Sequence, residues 1–430
     1  MTRIIEPIPT YTTRVAEREL DALLHDLPAL SLEGPKGVGK TRTAERRAAA
    51  TFRLDDPAVL EVITAQPNLL TTAARPTLID EWQRHPASWD LIRRAVDDDH
   101  SPGRFILTGS ATPSQAPAHS GASRIVPIRM RPLTLHEREL ESPTVSLAVL
   151  LGGTRPTLEG TTDVTLEDYT TEILTGGFPG MRYSSSRSQR AALNGYIDRV
   201  IDTDLPEIGV DVRNPHTLRR WLRAYAGATA TITSFEKIRE AAASGDEPAP
   251  AKTTAIPYRE ALERVWILDP VPAWAPTNNH LRQLVGAPKH HLADPALAAR
   301  LVGLDVNALL RGEGPDSRPR DGTFLGALFE SLAALDVRVF AQSHEASTFH
   351  VRDHRGRHEI DFVVVRDDQR VVAFEVKLSA TVGDADVRHL LWLREQLGEE
   401  MLDGVVLTTG TTAYRRRDGI GVVPLALLGP

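Results

Sequence analysis

The sequence predicts an α/β protein of two or three units, with a doubly wound, mostly parallel sheet at its N-terminal end. Three observations carry this. Short apolar runs at 27–33, 51–56, 75–80 and 104–109 alternate with helically spaced segments. A glycine-rich turn, GPKGVGKT at 34–41, joins the first run to a helix-forming segment. After a polar stretch of linker composition, RGEGPDSRPRDG at 311–322, a second set of helix and strand patterns begins.

The elements follow in order. RVAERELDALL (14–24) has helical spacing, and LPALSLE (27–33) is the first strand pattern. TFRLDD (51–56), RPTLID (75–80) and RFILTG (104–109) are the next three. Between the last two, Trp89, Ile92 and Val96 are spaced for a helix over 88–98. PSQAPAHSGAS (113–123) is small and polar and predicts a mobile loop. Thr165 and Asp168 form a capping-box pattern ahead of the Leu166, Tyr169, Ile173 stripe. A further helix is expected over 187–203, then three short helices within 217–268 with an insert at 244–252. Beyond the linker come a helix over 323–335, strands near 348–352, 358–365 and 371–377, a helix over 384–397, and strands near 403–408 and 420–425.

The 430 residues exceed what one compact core usually holds. The expected divisions are 1–210, 211–310 and 322–430. A net charge of −7 argues against a molecule that attracts nucleic acid with its whole surface. The absence of cysteine excludes disulfides and thiolate metal sites and fits a reducing cytoplasm. No stretch reads as a secretion signal or a membrane span, so a soluble cytoplasmic protein is expected. Only six of the 50 basic residues are lysines. A lysine here marks a place where a compact ammonium is wanted in preference to a planar fork, which singles out Lys40 and Lys377.

Gly34, Pro35, Lys36, Gly37, Val38, Gly39, Lys40 and Thr41 match the phosphate-loop pattern G-x-x-x-x-G-K-[ST]. The glycines let backbone N–H groups curl around phosphates at a helix N-terminus. Lys40 would reach the β- and γ-phosphates of ATP, and the Thr41 hydroxyl would ligate Mg²⁺. The strand PTLIDE (76–81) ends in two acids: Asp80 would hold the magnesium through water, and Glu81 would act as general base on the attacking water. An extra strand between the motifs and the lack of N-K-x-D favour ATP over GTP. Ser110, at the end of the fourth strand, would sense the γ-phosphate or belongs to an ordinary turn. Arg124 would supply charge to the transition state or is a surface arginine.

RLDDP (53–57), TLIDEWQRHP (77–86), GRFILTGSA (103–111), GGFPGMR (176–182), YIDRVIDTDL (196–205), APKHHLADPAL (287–297) and the pair EIDFVVV (359–365) and AFEVKLS (373–379) carry a resemblance. Together they resemble a family of prokaryotic ATPases that pair an AAA-type P-loop domain with a C-terminal domain of unknown function 4143. Departures are Lys36 where that family tends to have Arg, the insert at 244–252 and a weakened segment at 119–124. The resemblance implies a winged helix in the middle segment. Residues 211–310 carry 12 basic against 10 acidic residues, which permits DNA contacts and equally permits a protein-contact or lid role.

In HEIDFVVVRDDQRVVAFEVKLS (358–379) a hairpin turning at Asp368 would set Asp361 opposite Glu375, with Lys377 on the same face. Opposed carboxylates want a cation between them, and Mg²⁺ suits such a pair. Glu330 lies on the preceding helix among Gly326, Ala327, Ala333 and Ala334. Glu330, Asp361, Glu375 and Lys377 look like the PD-(D/E)xK nuclease pattern of a restriction-endonuclease-like α/β domain. The alternatives are a structural ion cluster and a nuclease-like fold without activity. The expectation is an ATP hydrolase coupled to a nuclease-like module acting on DNA. Its competitor is an ATP-gated switch that binds DNA or a protein partner without cutting, as a monomer or an oligomer.

Overall fold

A computed structural model describes residues 11–110, 123–243, 247–275, 286–311, 322–353 and 357–430. The expected loop at 113–123 and linker at 311–322 lie almost wholly outside the described residues.

Strands β1 (Ala29–Glu33), β2 (Ala50–Arg53), β3 (Thr77–Asp80), β4 (Phe105–Gly109) and β5 (Val126–Arg129) form a parallel sheet in the order β2-β3-β4-β1-β5. The central strands are buried on both faces, which is why they read as unbroken apolar runs and not as alternations. The helix Ala87–Asp98 covers one face through Trp89, Ile92 and Val96. β5 has the pattern VPIR, too short and too polar to stand out in sequence.

Helices Leu166–Thr175, Ser186–Arg199, Pro215–Gly227, Phe235–Ala241, Lys252–Arg264 and Pro295–Val302 make up the middle segment. The Thr165–Asp168 capping box is formed. The expected helix over 187–203 runs as α-helix to Arg199 and then widens into a π-helical stretch, Val200–Asp204. Asp294 joins two of the quoted segments: Oδ1 caps Ala296 N–H at 2.8 Å and Oδ2 accepts from Gly177 N–H at 2.6 Å. A Cβ on Gly177 would lie 2.5 Å from Leu133 O, so only glycine fits that crossing.

The C-terminal unit is mixed. Strand β6 (Val145–Ser146) lies in the N-terminal half, and β7 (Ala273–Trp274) comes from the middle segment. β8 (Ser347–Arg352), β9 (Glu359–Val365), β10 (Val371–Lys377), β11 (Met401–Thr408), β12 (Tyr414–Arg415) and β13 (Gly421–Pro424) complete a sheet in the order β12-β13-β11-β10-β9-β8-β7. Alternation sorts its side chains, apart from a bulge in β9 between Ile360 and Val363. Val364, Val372 and Phe374 face the long helix Gly322–Gln342, Val405 and Leu407 lie on the same side beside the helix Leu147–Leu151, and Val363, Val371, Ala373 and Val406 face the helix Asp384–Leu397. A last strand, β14 (Leu428–Gly429), pairs with β6. One continuous apolar cluster runs from Leu30, Leu78 and Ile106 of the first sheet through Trp221 and Tyr225 to Phe329, Phe362 and Phe374.

Candidate functional site

The residues expected to bind phosphate sit at the carboxyl end of β1, between β4 and β5, where strand order reverses in an open parallel sheet. The loop from Gly34 to Gly39 leads from β1 into the helix Lys40–Glu45. Gly39 stands at φ 103°, a conformation that disfavours any side chain. Gly34 has no room for one: a Cβ there would lie 2.1 Å from Met130 O. Lys40 Nζ donates to Gly34 O at 2.8 Å and to Pro35 O at 2.9 Å, inside its own loop. Burial pushes its pKa down to about 8, with the charges of Glu81 and Asp80 pulling the other way.

The Thr41 hydroxyl donates to Asp80 Oδ1 at 2.8 Å, and Thr108 hydrogen-bonds the same oxygen. Thr41 and Asp80 are the hard-oxygen pair that a magnesium ion between protein and phosphate requires, so the donor set fits the ion. Glu81 has φ 53°, turning its carboxylate off the end of β3. Gln83 Nε2 donates to Glu81 Oε2 at 2.5 Å, and the Ser110 hydroxyl reaches it at 3.4 Å. Burial raises the Glu81 pKa against the pull of Lys40. Ser110 therefore stands beside the expected base. Arg124 instead pairs with Asp97 at 2.8 Å.

Several contacts around the loop have no counterpart in the sequence reading. Arg14 donates to Val38 O at 2.6 Å and Arg131 O at 2.6 Å, and pairs with Glu137 at 3.1 Å. Lys36 Nζ is held by Asp204 at 2.6 Å and Glu207 at 3.2 Å, and Glu207 also takes Arg84 at 2.9 Å. Tyr196 OH donates to Lys36 O at 3.2 Å. The π-helical turn thus puts Asp204 of YIDRVIDTDL against the phosphate loop, a contact 168 residues apart in sequence that local spacing cannot reveal.

The second constellation lies where β9 and β10 meet the helix Gly322–Gln342. Their register is the expected one, and the ladder ends at Phe374↔Phe362, one pair short of Asp361 and Glu375. Asp361 Oδ2 accepts from Val376 N–H at 2.8 Å, so a side chain takes over where the ladder stops. Lys377 Nζ donates to Glu375 Oε2 at 3.1 Å. Glu375 Oε1 is buried without a hydrogen-bond partner among the described residues, with His389 Nδ1 3.6 Å away. Burial and the charge of Asp361 raise the Glu375 pKa.

The remaining member is Lys289, fully buried. Its Nζ lies 2.8 Å from Glu330, 2.9 Å from Asp361 and 3.3 Å from Glu359. The structure thus brings Glu330, Asp361, Glu375 and Lys377 into one buried centre, together with a second ammonium that the hairpin and helix patterns alone did not supply. Among the described residues, no group of three or more His, Cys, Asp or Glu side chains is arranged to hold a metal ion.

Comparison with known proteins fits this division. The family description "AAA domain" matches residues 26–139, and "Domain of unknown function (DUF4143)" matches 325–428. The chain joins an AAA domain to a C-terminal domain of unknown function 4143. A second domain of unknown function, DUF8612, matches 166–308, the helical middle. The chain is 26% identical over 332 residues to Uncharacterized protein Rv2008c of Mycobacterium tuberculosis and to Uncharacterized protein Mb2031c of Mycobacterium bovis. The match covers 75% of this chain and 66% of each relative's length. The AAA domain carries the phosphate loop and Glu81, and the DUF4143 domain carries Glu330, Asp361, Glu375 and Lys377. No helix among the described residues is long and apolar enough to cross a membrane.

Proposed function

We propose that the protein is a Mg²⁺-dependent ATPase whose nucleotide state is passed, through the middle segment, to a C-terminal binding module. The carrying observation is the Thr41–Asp80 hydrogen bond beside Lys40 and Glu81. Four functional groups of the expected kinds converge on the mouth of one phosphate loop. Loop amides and the Lys40 ammonium bind and orient the β- and γ-phosphates, Lys40 exchanging two carbonyl partners for phosphate oxygens. Glu81 holds the attacking water and receives its proton, and its raised pKa suits it to that task. When bound, magnesium supplies neutralisation of phosphate charge, held by Thr41 and Asp80. Lys36, tied to Asp204 and Glu207, is the contact through which phosphate in the loop would be felt by the middle segment.

For the C-terminal module, the buried ammonium of Lys289 against Asp361 and Glu330 favours the switch reading over cleavage. DNA as the partner is supported by an open cleft lined by Arg220, Arg223 and Lys237 between the helices Pro215–Gly227 and Phe235–Ala241. Phosphate release tests the ATPase: it should require Mg²⁺, prefer ATP to GTP and vanish in Lys40→Ala. Hydrolysis undiminished in Lys40→Ala would remove the assignment. DNA retention that weakens with salt and is lost in Arg220→Glu/Arg223→Glu tests the partner, and retention unchanged in that variant clears the cleft of the role.

A further inference from the structure

Lys289 belongs to APKHHLADPAL in the middle segment, yet its side chain ends inside the DUF4143 domain. The Lys289 ammonium donates to Glu330 and Asp361 and forms an ion pair with Glu359. Its main chain is fixed as firmly. Lys289 N–H donates to Val271 O and Val271 N–H to Lys289 O, both at 2.9 Å. The following His290 N–H donates to Thr231 O at 2.8 Å, and Asp269 N–H donates to His291 O at 2.9 Å. A segment bonded on both sides in this way is not a tether that swings out.

The carboxylates are used accordingly. Asp361 spends one oxygen on Lys289 and the other on Val376 N–H. Glu330 gives Oε1 to Lys289, and Glu375 gives Oε2 to Lys377. Asp361, at the middle of the centre, therefore has neither carboxylate oxygen left over for a divalent ion, which wants about six oxygens. The Lys289 ammonium lies among Glu330, Asp361 and Glu359, so a divalent ion entering that space would meet a fixed positive charge at its centre. The donor set does not fit a metal.

We infer that Lys289 is the resident cation of this acidic centre and stands in the place a divalent ion would take, making the DUF4143 module of this chain metal-independent. The inference deepens the non-cutting reading of that module. Metal binding is read apart from both cleavage and ATP hydrolysis, so the two readings can fail separately.

The test is Mn²⁺ binding to the nucleotide-free full-length protein, followed by loss of the free-ion paramagnetic resonance signal. Wild type and Asp361→Asn should bind the same number of ions, as should Glu375→Gln. Lys289→Met, which keeps the side-chain length and removes the charge, should gain one ion per chain, at least tenfold tighter than any wild-type site there. Adding Asp361→Asn to that variant should abolish the gain. An ion bound by wild type and lost in both Asp361→Asn and Glu375→Gln would overturn the inference. A folded Lys289→Met that gains no ion would overturn it as well, since the acids would then not be a cation site at all. If Lys289→Met does not fold, the wild-type comparison decides alone.

Discussion

Lys40 holds its charge against two carbonyl oxygens and no carboxylate, and this gives the phosphate loop a pH dependence. Its pKa falls from 10.5 to about 8, so between those values the folded chain binds fewer protons than the unfolded one. Stability therefore rises with pH across that window on account of this group. ATP acts oppositely, because phosphate charge restores the proton to Lys40. Nucleotide affinity should weaken as pH rises above about 8, by up to tenfold per unit, in a fluorescent-analogue titration at constant ionic strength. An affinity flat from pH 8 to 10 would contradict this. Gly34 allows a second prediction: Gly34→Ala drives a Cβ into Met130 O and should abolish nucleotide binding in the same titration. Scarcity of lysine was a better signal than its use suggested. Of six lysines, Lys36, Lys40, Lys289 and Lys377 all stand in the two centres, whereas only Lys40 and Lys377 were picked out by it.

At the scale of elements, the strands of the first sheet were legible because burial on both faces writes them as apolar runs, and the hairpin because its turn is polar and its flanks alternate. What stayed hidden has physical reasons. β5 is four residues long with Pro127 in it, and β7 and β12 have two residues each, below the length at which a pattern exists. The π-helical turn at Val200–Asp204 carries ordinary helical spacing up to the point where it widens. Its contact with the loop predicts that Asp204→Asn weakens the hold on Lys36, leaving Glu207 as its carboxylate partner, and changes the ratio of ATP to ADP affinity, measured by isothermal titration. An unchanged ratio would clear this turn of a coupling role. Leu78, fully buried at the centre of β3, serves packing alone: Leu78→Ala should cost about 2–5 kcal/mol in urea unfolding.

On the scale of the whole molecule, the AAA domain and the DUF4143 domain share one core, and residues 426–430 are laced back to the segment 145–169 that follows the AAA domain. β14 pairs with β6, Ala426 N–H donates to Tyr169 OH at 2.9 Å, and the Ser146 hydroxyl donates to Pro430 O at 2.7 Å. Deleting 425–430 should therefore lower the melting temperature of the entire chain in a single transition, seen by calorimetry, and not that of the C-terminal half alone. Such long-range lacing was illegible in sequence, where residues 146 and 430 carry no mark of each other. The expected divisions by composition likewise could not show that Lys289, from the middle segment, completes a centre in the C-terminal unit. The central claim is that Glu81 serves turnover and not binding. Measuring ATP affinity and phosphate release side by side on Glu81→Gln tests it most directly. Affinity should stay within a few-fold of wild type while release falls by about 10²–10⁴; release that continues at the wild-type rate would contradict the account.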